Sequence, residues 1–260
     1  MLNYRTRNEF CGSIFSFGAG TQSTAILLLM KYEKERFINA VGMMPDWIIF
    51  ADTGAESYDS LLNLEKCKKE LFPIIRVKNF KRNATTHPQD IPVFFGNNQA
   101  NNERRCTTDW KIRVINKATS KLFPKKNKKN PVAMMMGIST DEITRIKTHK
   151  LKSIEKIYPL IDLNLSRQDC YQIIDKYGWQ PVKSACYMCP YQSKRWHENK
   201  EIDKAIAFEK KLQAKSEYQK KPYLHPSGMP IAEVYKMQLA QGDLFDDWTI
   251  DNECDGICGV

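Results

Sequence analysis

Short apolar runs alternate along this chain with longer mixed stretches, and small polar residues mark the joints. Ile14–Phe17 is an apolar run of strand character, Gly18–Thr24 is small and polar, and Ala25–Met30 is an apolar run of good helix formers leading into the charged Lys31–Glu35. Asp46–Ala51 reads as a second buried strand that ends in Asp52-Thr53-Gly54-Ala55-Glu56. Ser57–Leu71 reads as a helix carrying Leu61, Leu62 and Leu64, stopped by Pro73, and Ile74–Val77 as a third strand. Residues 79–104 are polar with recurring Asn and Pro, which predicts a long mobile loop of the lid or substrate-binding kind. A helix capped by Thr107 or Thr108 is expected to run to Leu122, and Pro131–Met136 is a further strand closing on Gly137. Trp196–Lys215 reads as a charged helix with one apolar stripe, Ile202, Ala205, Phe208 and Leu212, and Tyr223–Pro230 as a proline-rich turn.

Strands alternating with helices predict an α/β fold, with a parallel sheet, right-handed crossovers and helices on both faces. Ligands of such sheets sit at the C-terminal strand ends, where both the Gly18 loop and Asp52 fall. Ser13–Met30 is strand, small-residue loop, helix, the arrangement that presents backbone N–H groups to an anion at a helix N-terminus. Two phosphate-loop patterns fail here. The loop has no lysine for a Walker motif, and Ser23 replaces the third glycine of G-x-G-x-x-G. A glycine-rich turn into a buried helix is the plainer reading of the same residues.

The 260 residues allow one large domain, or one domain with an appendage. At 42% hydrophobic and 27% charged the composition is that of an ordinary soluble protein. The polar N-terminus has no apolar signal region, and no apolar run approaches a membrane span, so a cytoplasmic protein with no membrane partner is expected. A net charge of +10 suits a polyanionic partner such as nucleic acid, although it also serves plain solubility. Lys121, Lys125, Lys126, Lys128 and Lys129 crowd one loop, either to grip a phosphate backbone or as a solvated surface.

The eight cysteines of a cytoplasmic chain are not expected to form disulfides. Cys11, Cys67 and Cys170 stand alone and read as small buried hydrophobes. Cys106 follows Arg104-Arg105 at an expected helix start, where a thiolate is stabilised. Cys186-x-x-Cys189-Pro190 fits a redox pair, a zinc knuckle or an iron–sulfur site, and with Cys254 and Cys258 it offers four thiolates, enough for a zinc site.

In combination these loops resemble the phosphoadenosine-phosphosulfate reductase family of the PP-loop ATP pyrophosphatase superfamily, over roughly residues 12–195. Ser16-Phe17-Gly18-Ala19-Gly20-Thr21-Gln22-Ser23 lies in register with the family's S-F-S-G-G-x-D-S, and Asp52-Thr53-Gly54 with Glu56 matches its D-T-G loop. Gly137-Ile138, Glu142 and Arg145 resemble the third loop, Tyr158–Asp162 the family's Y-P-L-I-D, and Ser166–Tyr177 the helix after it. Gly18, Ala19 and Gln22 depart from the family's serine, glycine and aspartate.

The resemblance implies a Rossmann-like PP-loop domain over residues 1–165 and a helical, cysteine-rich, metal-binding segment over 166–260. It implies ATP or another adenine nucleotide with Mg2+, held by Ser16, Gly18, Gly20, Thr21, Gln22, Ser23, Asp52, Thr53, Gly54, Gly137, Glu142 and Arg145. It implies a [4Fe–4S] cluster on Cys106, Cys186, Cys189 and Cys258, with zinc as the alternative, and Cys254, Asp52 and Arg145 in catalysis. The implied activity is ATP- or adenylate-dependent sulfur transfer to nucleic acid, DNA or tRNA, with a protein partner supplying sulfur or electrons. Reduction of phosphoadenylyl sulfate is the alternative, and a non-catalytic nucleotide-binding subunit a third.

Overall fold

A computed structural model of the chain describes residues 7–96, 99–146, 151–191, 196–215 and 218–241. Five strands form one sheet: β1 (Gly12–Phe17), β2 (Trp47–Asp52), β3 (Ile75–Lys78), β6 (Val132–Met136) and β7 (Ile154–Ile157). Their order is β3-β2-β1-β6-β7 and every pairing is parallel. The central β1 is buried along its whole length, as an apolar strand covered on both faces must be. The direction of winding reverses between β1 and β6, the place where open α/β sheets leave a crevice beyond their strand ends.

Successive residues of each strand serve opposite faces. Phe15, Phe17, Phe50, Met135 and Ile157 enter one core, with residues from α1 (Thr21–Tyr32), α2 (Lys34–Val41), α3 (Tyr58–Glu70) and α6 (Arg167–Lys176). Ile14, Ile49, Met134 and Met136 enter the other, against Ile115 and Ala118 of α4 (Arg113–Leu122). Helices on both faces are thus what the strand alternation predicted. Every residue of Ala25–Met30 is buried, because α1 lies between the sheet and other helices. Cys67 and Cys170 are fully buried, and burial pushes both thiols up to about 12. Cys11 is only half-buried, just before β1.

A separate core explains a correction to the sequence reading. The stretch after β3 does not form an open loop. It contains the hairpin β4 (Val93–Gly96) and β5 (Gln99–Asn101), and buries Ala84, Ile91 and Val93. These pack with Trp110, Met188 and Trp196, with α7 (Ile202–Lys215) through Ala205, Phe208 and Leu212, and with Ile231 and Val234 of α8 (Ile231–Gln241). The periodic stripe of α7 was legible, whereas in the 79–104 stretch Phe80, Ala84, Ile91 and the short run Val93–Phe95 are set among polar residues and show no period. Glu209 is 4% exposed inside this core, and its carboxylate accepts the Leu224 and Ile231 amides at 2.9 and 2.8 Å. Burial pushes its carboxyl above the ordinary range, against the pull of those two bonds.

The expected division after residue 165 falls just before α6, whose Cys170, Ile173 and Ile174 pack in the sheet's own core. The second core joins residues on both sides of that division. Another correction concerns the helix before β6. It begins at Cys106 itself, as a π-helical segment Cys106–Ile112 that runs into α4, and no threonine side chain caps it. Cys254 and Cys258 lie outside the described residues. Among the described residues, no helix is long and apolar enough to cross a membrane.

Candidate active site at the strand ends

The loop after β1 turns through Ala19, which has φ +57°, a left-handed conformation that costs a non-glycine residue on the order of 1 kcal/mol. Asn63 of α3 holds the turn, donating to the Ala19 carbonyl at 3.0 Å and to Thr24 Oγ1 at 2.8 Å. A glycine at this position would take the conformation without strain. Gly20 stands at the N-cap of α1, and Ser23 folds back on it, its Oγ accepting the Gly20 amide at 3.1 Å and donating to the Gly20 carbonyl at 3.0 Å.

The glycines of this loop do different jobs. A Cβ on Gly18 would meet only Ser23 Oγ, at 3.9 Å, so the approach to the loop is open there. A Cβ on Gly20 would stand 2.6 Å from Ser184 Oγ, so that glycine accommodates protein and not ligand. Gly137, just past β6, lies within 3.5 Å of the Ser23 backbone by the same measure and closes the crevice from the other side. Ser16 is buried within β1, and Thr21 spends both its amide and its hydroxyl on the Val182 carbonyl, at 2.9 and 3.1 Å.

Gln22 faces the loop after β6. Its amide donates to Glu142 Oε2 at 2.8 Å and to Ser139 Oγ at 3.2 Å. Glu142 is buried and ion-paired with Arg145 at 2.6 Å and with Arg167. An aspartate at position 22 would set a second carboxylate against Glu142, so glutamine here matches its neighbour. The guanidiniums of Arg145 and Arg167 thus meet at one carboxylate, which Gln22 ties to the first turn of α1. Arg145 Nε is buried without an acceptor among the described residues. Burial works against ionisation of the neighbouring Asp141, but the Ser139 hydroxyl and the Arg167 amide hold its carboxyl below the ordinary range.

Asp52, at the end of β2, is committed to structure. Its Oδ1 accepts the Gly54 amide at 2.7 Å and its Oδ2 accepts Arg76 Nε and Nη2 at 3.1 and 2.9 Å. Thr53 donates to Glu56 Oε1 at 2.7 Å and lies 3.5 Å from Cys186 Sγ. Gly54 has φ +81°, with the Lys78 ammonium against it. Asp52 and Glu142, the carboxylates flanking the loop, are thus both taken by arginines. A magnesium ion would therefore meet no carboxylate of this pair that is not already ion-paired.

Beside Thr53 lies a cavity of about 30 Å³, lined by Cys106, Cys186 and Cys189 together with Arg104 and Lys111. Three of the four predicted metal ligands are thus brought together from two distant segments. Cys186–Cys189 is a tight turn closed by the Cys189 amide on the Cys186 carbonyl at 3.0 Å. It docks on the loop after β2 through Ser57 N to Ala185 O and Tyr187 N to Ala55 O, at 2.9 and 3.0 Å. Cys106 enters from the start of the π-helical segment. The donors suit a soft metal in kind. Among the described residues, however, no three His, Cys, Asp or Glu side chains form a group able to hold a metal ion. The thiols share a cavity and not a coordination shell, so a metal would have to draw them together.

Sequence reasoning missed Asn63, Lys111 and Arg167. Lys111 is buried, 3.8 Å from Glu56 in an ion pair at the cavity wall. A lysine inside an expected helix carries no sign of burial. The lysine-rich loop, in contrast, lies far from all of this. Phe123 packs on Gly12 at the start of β1, and Pro131 accepts the Cys11 amide, so Lys125–Lys129 belong to the N-terminal strand ends. Six-residue β1 separates the two ends by roughly 20 Å.

No protein-family model matches the sequence, and no curated protein matches it. The structure is similar to that of a phosphoadenylyl-sulfate (PAPS) reductase from Candida auris in complex with phosphate, at 15% sequence identity and a TM-score of 0.45. The match covers 66% of this chain and 75% of that one.

Proposed function

We propose that the chain binds an adenine nucleotide at the strand-end crevice and uses it for adenylate-dependent sulfur transfer to nucleic acid. The observation that carries this reading is the juxtaposition of the anion loop after β1 with a cavity holding three cysteines after β2. The open face at Gly18, the start of α1 and the Arg145 guanidinium would receive the phosphates. Donors fixed before the reaction stabilise charge that builds up on phosphate oxygens without reorganising. The cysteine cavity would take an iron–sulfur cluster, with zinc as the alternative. Held there, a cluster would supply a sulfur- or electron-handling centre beside the nucleotide. Cys106, Cys186 and Cys189 would be its ligands, joined by Cys258. Cys254 is the proposed sulfur-carrying thiol.

The lysine loop, at the far end of the sheet, would hold the nucleic acid only if it wraps the domain. A second reading has a specific observation behind it. Gln22 is bonded to Glu142 in the place of the family's aspartate, which favours a subunit that binds nucleotide without cleaving it.

Incubation with ATP, magnesium and tRNA or DNA is expected to release AMP and pyrophosphate in equal amounts. Sulfite from phosphoadenylyl sulfate and thioredoxin at enzymatic rates would overturn the sulfur-transfer reading in favour of a reductase. Nucleotide binding with neither product would select the non-catalytic subunit.

A further inference from the structure

The segment between α6 and the cysteine turn runs across both strand-end loops. Val182 O accepts the amide and hydroxyl of Thr21 in the first turn of α1, at 2.9 and 3.1 Å. Two residues on, Ser184 lies over Gly20, so close that a Cβ there would stand 2.6 Å from its Oγ, 3.1 Å from its Cβ and 3.4 Å from its amide nitrogen. Ala185 O then accepts the Ser57 amide, Cys186 Sγ lies 3.5 Å from Thr53 Oγ1, and the Tyr187 amide reaches Ala55 O. One continuous strap therefore joins the anion loop after β1 to the loop after β2, and its far end carries a cavity cysteine.

Gly20 itself has φ −106° and ψ −179°, a conformation open to any residue. Its lack of a side chain is required by the strap above it and not by its own backbone.

We propose that residues 182–185 are a positioning element, clamped on the first turn of α1, that sets where Cys186 stands in the cysteine cavity. Val182 O and Ser184 act through Cys186. The proposal rests on the anion-loop reading only in its consequence, that a ligand competing for the Thr21 donors would shift Cys186. The clamp itself is judged without any nucleotide.

The experiment measures iodoacetamide alkylation of Cys186 in the full chain as purified, read peptide by peptide by mass spectrometry. Cys67, buried with its thiol pushed up to about 12, is the silent reference. Gly20→Ala is expected to lift Ser184 and speed alkylation of Cys186 by roughly tenfold, the effect of weakening a local closure by one or two hydrogen bonds. Adding Ser184→Gly should return the rate to that of the parent, because the new Cβ then meets no side chain. Thr21→Val, which removes one of the two bonds to Val182 and keeps the side chain's shape, is expected to speed Cys186 as well, and serves if Gly20→Ala does not fold.

Rates within twofold of the parent in both single variants would overturn the proposal. So would a Gly20→Ala effect that Ser184→Gly fails to reverse. Titration of the parent with ADP is read separately. Absence of binding there would remove the anion-loop reading, while the strap stands or falls by the alkylation rates alone.

Discussion

Serine in place of Cys106, Cys186 or Cys189, one at a time, is expected to strip the metal from protein purified without oxygen and to lower its melting temperature. Cys67→Ser is expected to do neither. The first three thiols line one cavity, yet they do not form a ready-made coordination group. A bound metal would therefore have to gather the π-helical segment and the Cys186 turn, and the binding free energy left after that cost would appear as stability of the fold. Each ligand lost should cost at least about tenfold in metal affinity, the low end of what is lost when only an outer-shell partner is removed. Metal analysis beside thermal melts makes the check. Iron with absorbance near 400 nm fits the cluster. Stoichiometric zinc without iron would replace it by a structural site, and unchanged metal content in all three variants would remove the site altogether.

The second large effect is expected in the network behind the cysteine cavity, whose wall includes Trp110. Arg82 binds Asp90 through two bonds, Nε to Oδ2 at 2.7 Å and Nη2 to Oδ1 at 2.6 Å, and its Nε also pairs with Asp109 at 3.0 Å. The Asp90 side chain is 1% exposed and also accepts the Trp110 indole at 3.0 Å. This network ties the stretch after β3 to the π-helical segment that begins at Cys106. Arg82→Ala would strand a buried carboxylate, at a cost of about 3 kcal/mol, the low end for breaking a buried pair since Arg82 itself is partly solvated. The urea midpoint should fall accordingly, with little change in slope. Arg82→Lys should recover only part of the loss, because a single ammonium cannot make both parallel bonds. A midpoint change worth less than about 0.5 kcal/mol, ordinary for an exposed substitution, would show the network to be idle.

The parts of this architecture that are local in sequence were legible in it. The run Ile14–Phe17, the small loop and the apolar Ala25–Met30 announced a strand, a turn and a buried helix. Ser57 and Ser166 mark helix starts and do accept N-terminal amides, from Ser60 and Asp169. The resemblance implied Cys106, Cys186 and Cys189 as one group, and in the structure the three line one cavity without forming a coordination group.

What was illegible depends on pairings across the chain. β7 reads Ile-Glu-Lys-Ile, with only its two ends buried, and is a strand because β6 offers it an edge. α2 and α8 are short and carry few core residues, so no clear period marks them. The partner that takes Thr21's donors lies 161 residues away, and nothing in Gly18–Ser23 distinguishes the glycine left open from the one packed under Ser184. The resemblance implied a catalytic Asp52, and its place at the end of a strand put it on the ligand side. The partner of its Oδ2, Arg76, comes from the neighbouring edge strand and could not be read from the local sequence.

All of the proposed chemistry turns on an adenine nucleotide bound at the start of α1. A crystal structure of the full chain grown with ADP tests this most directly. The predicted result places the phosphates over Gly18–Ser23, within hydrogen-bond reach of the first-turn amides of α1 and of Arg145, on the side of Gly18 that stands open. A nucleotide bound elsewhere on the chain, or crystals at saturating ADP that hold none, would contradict it.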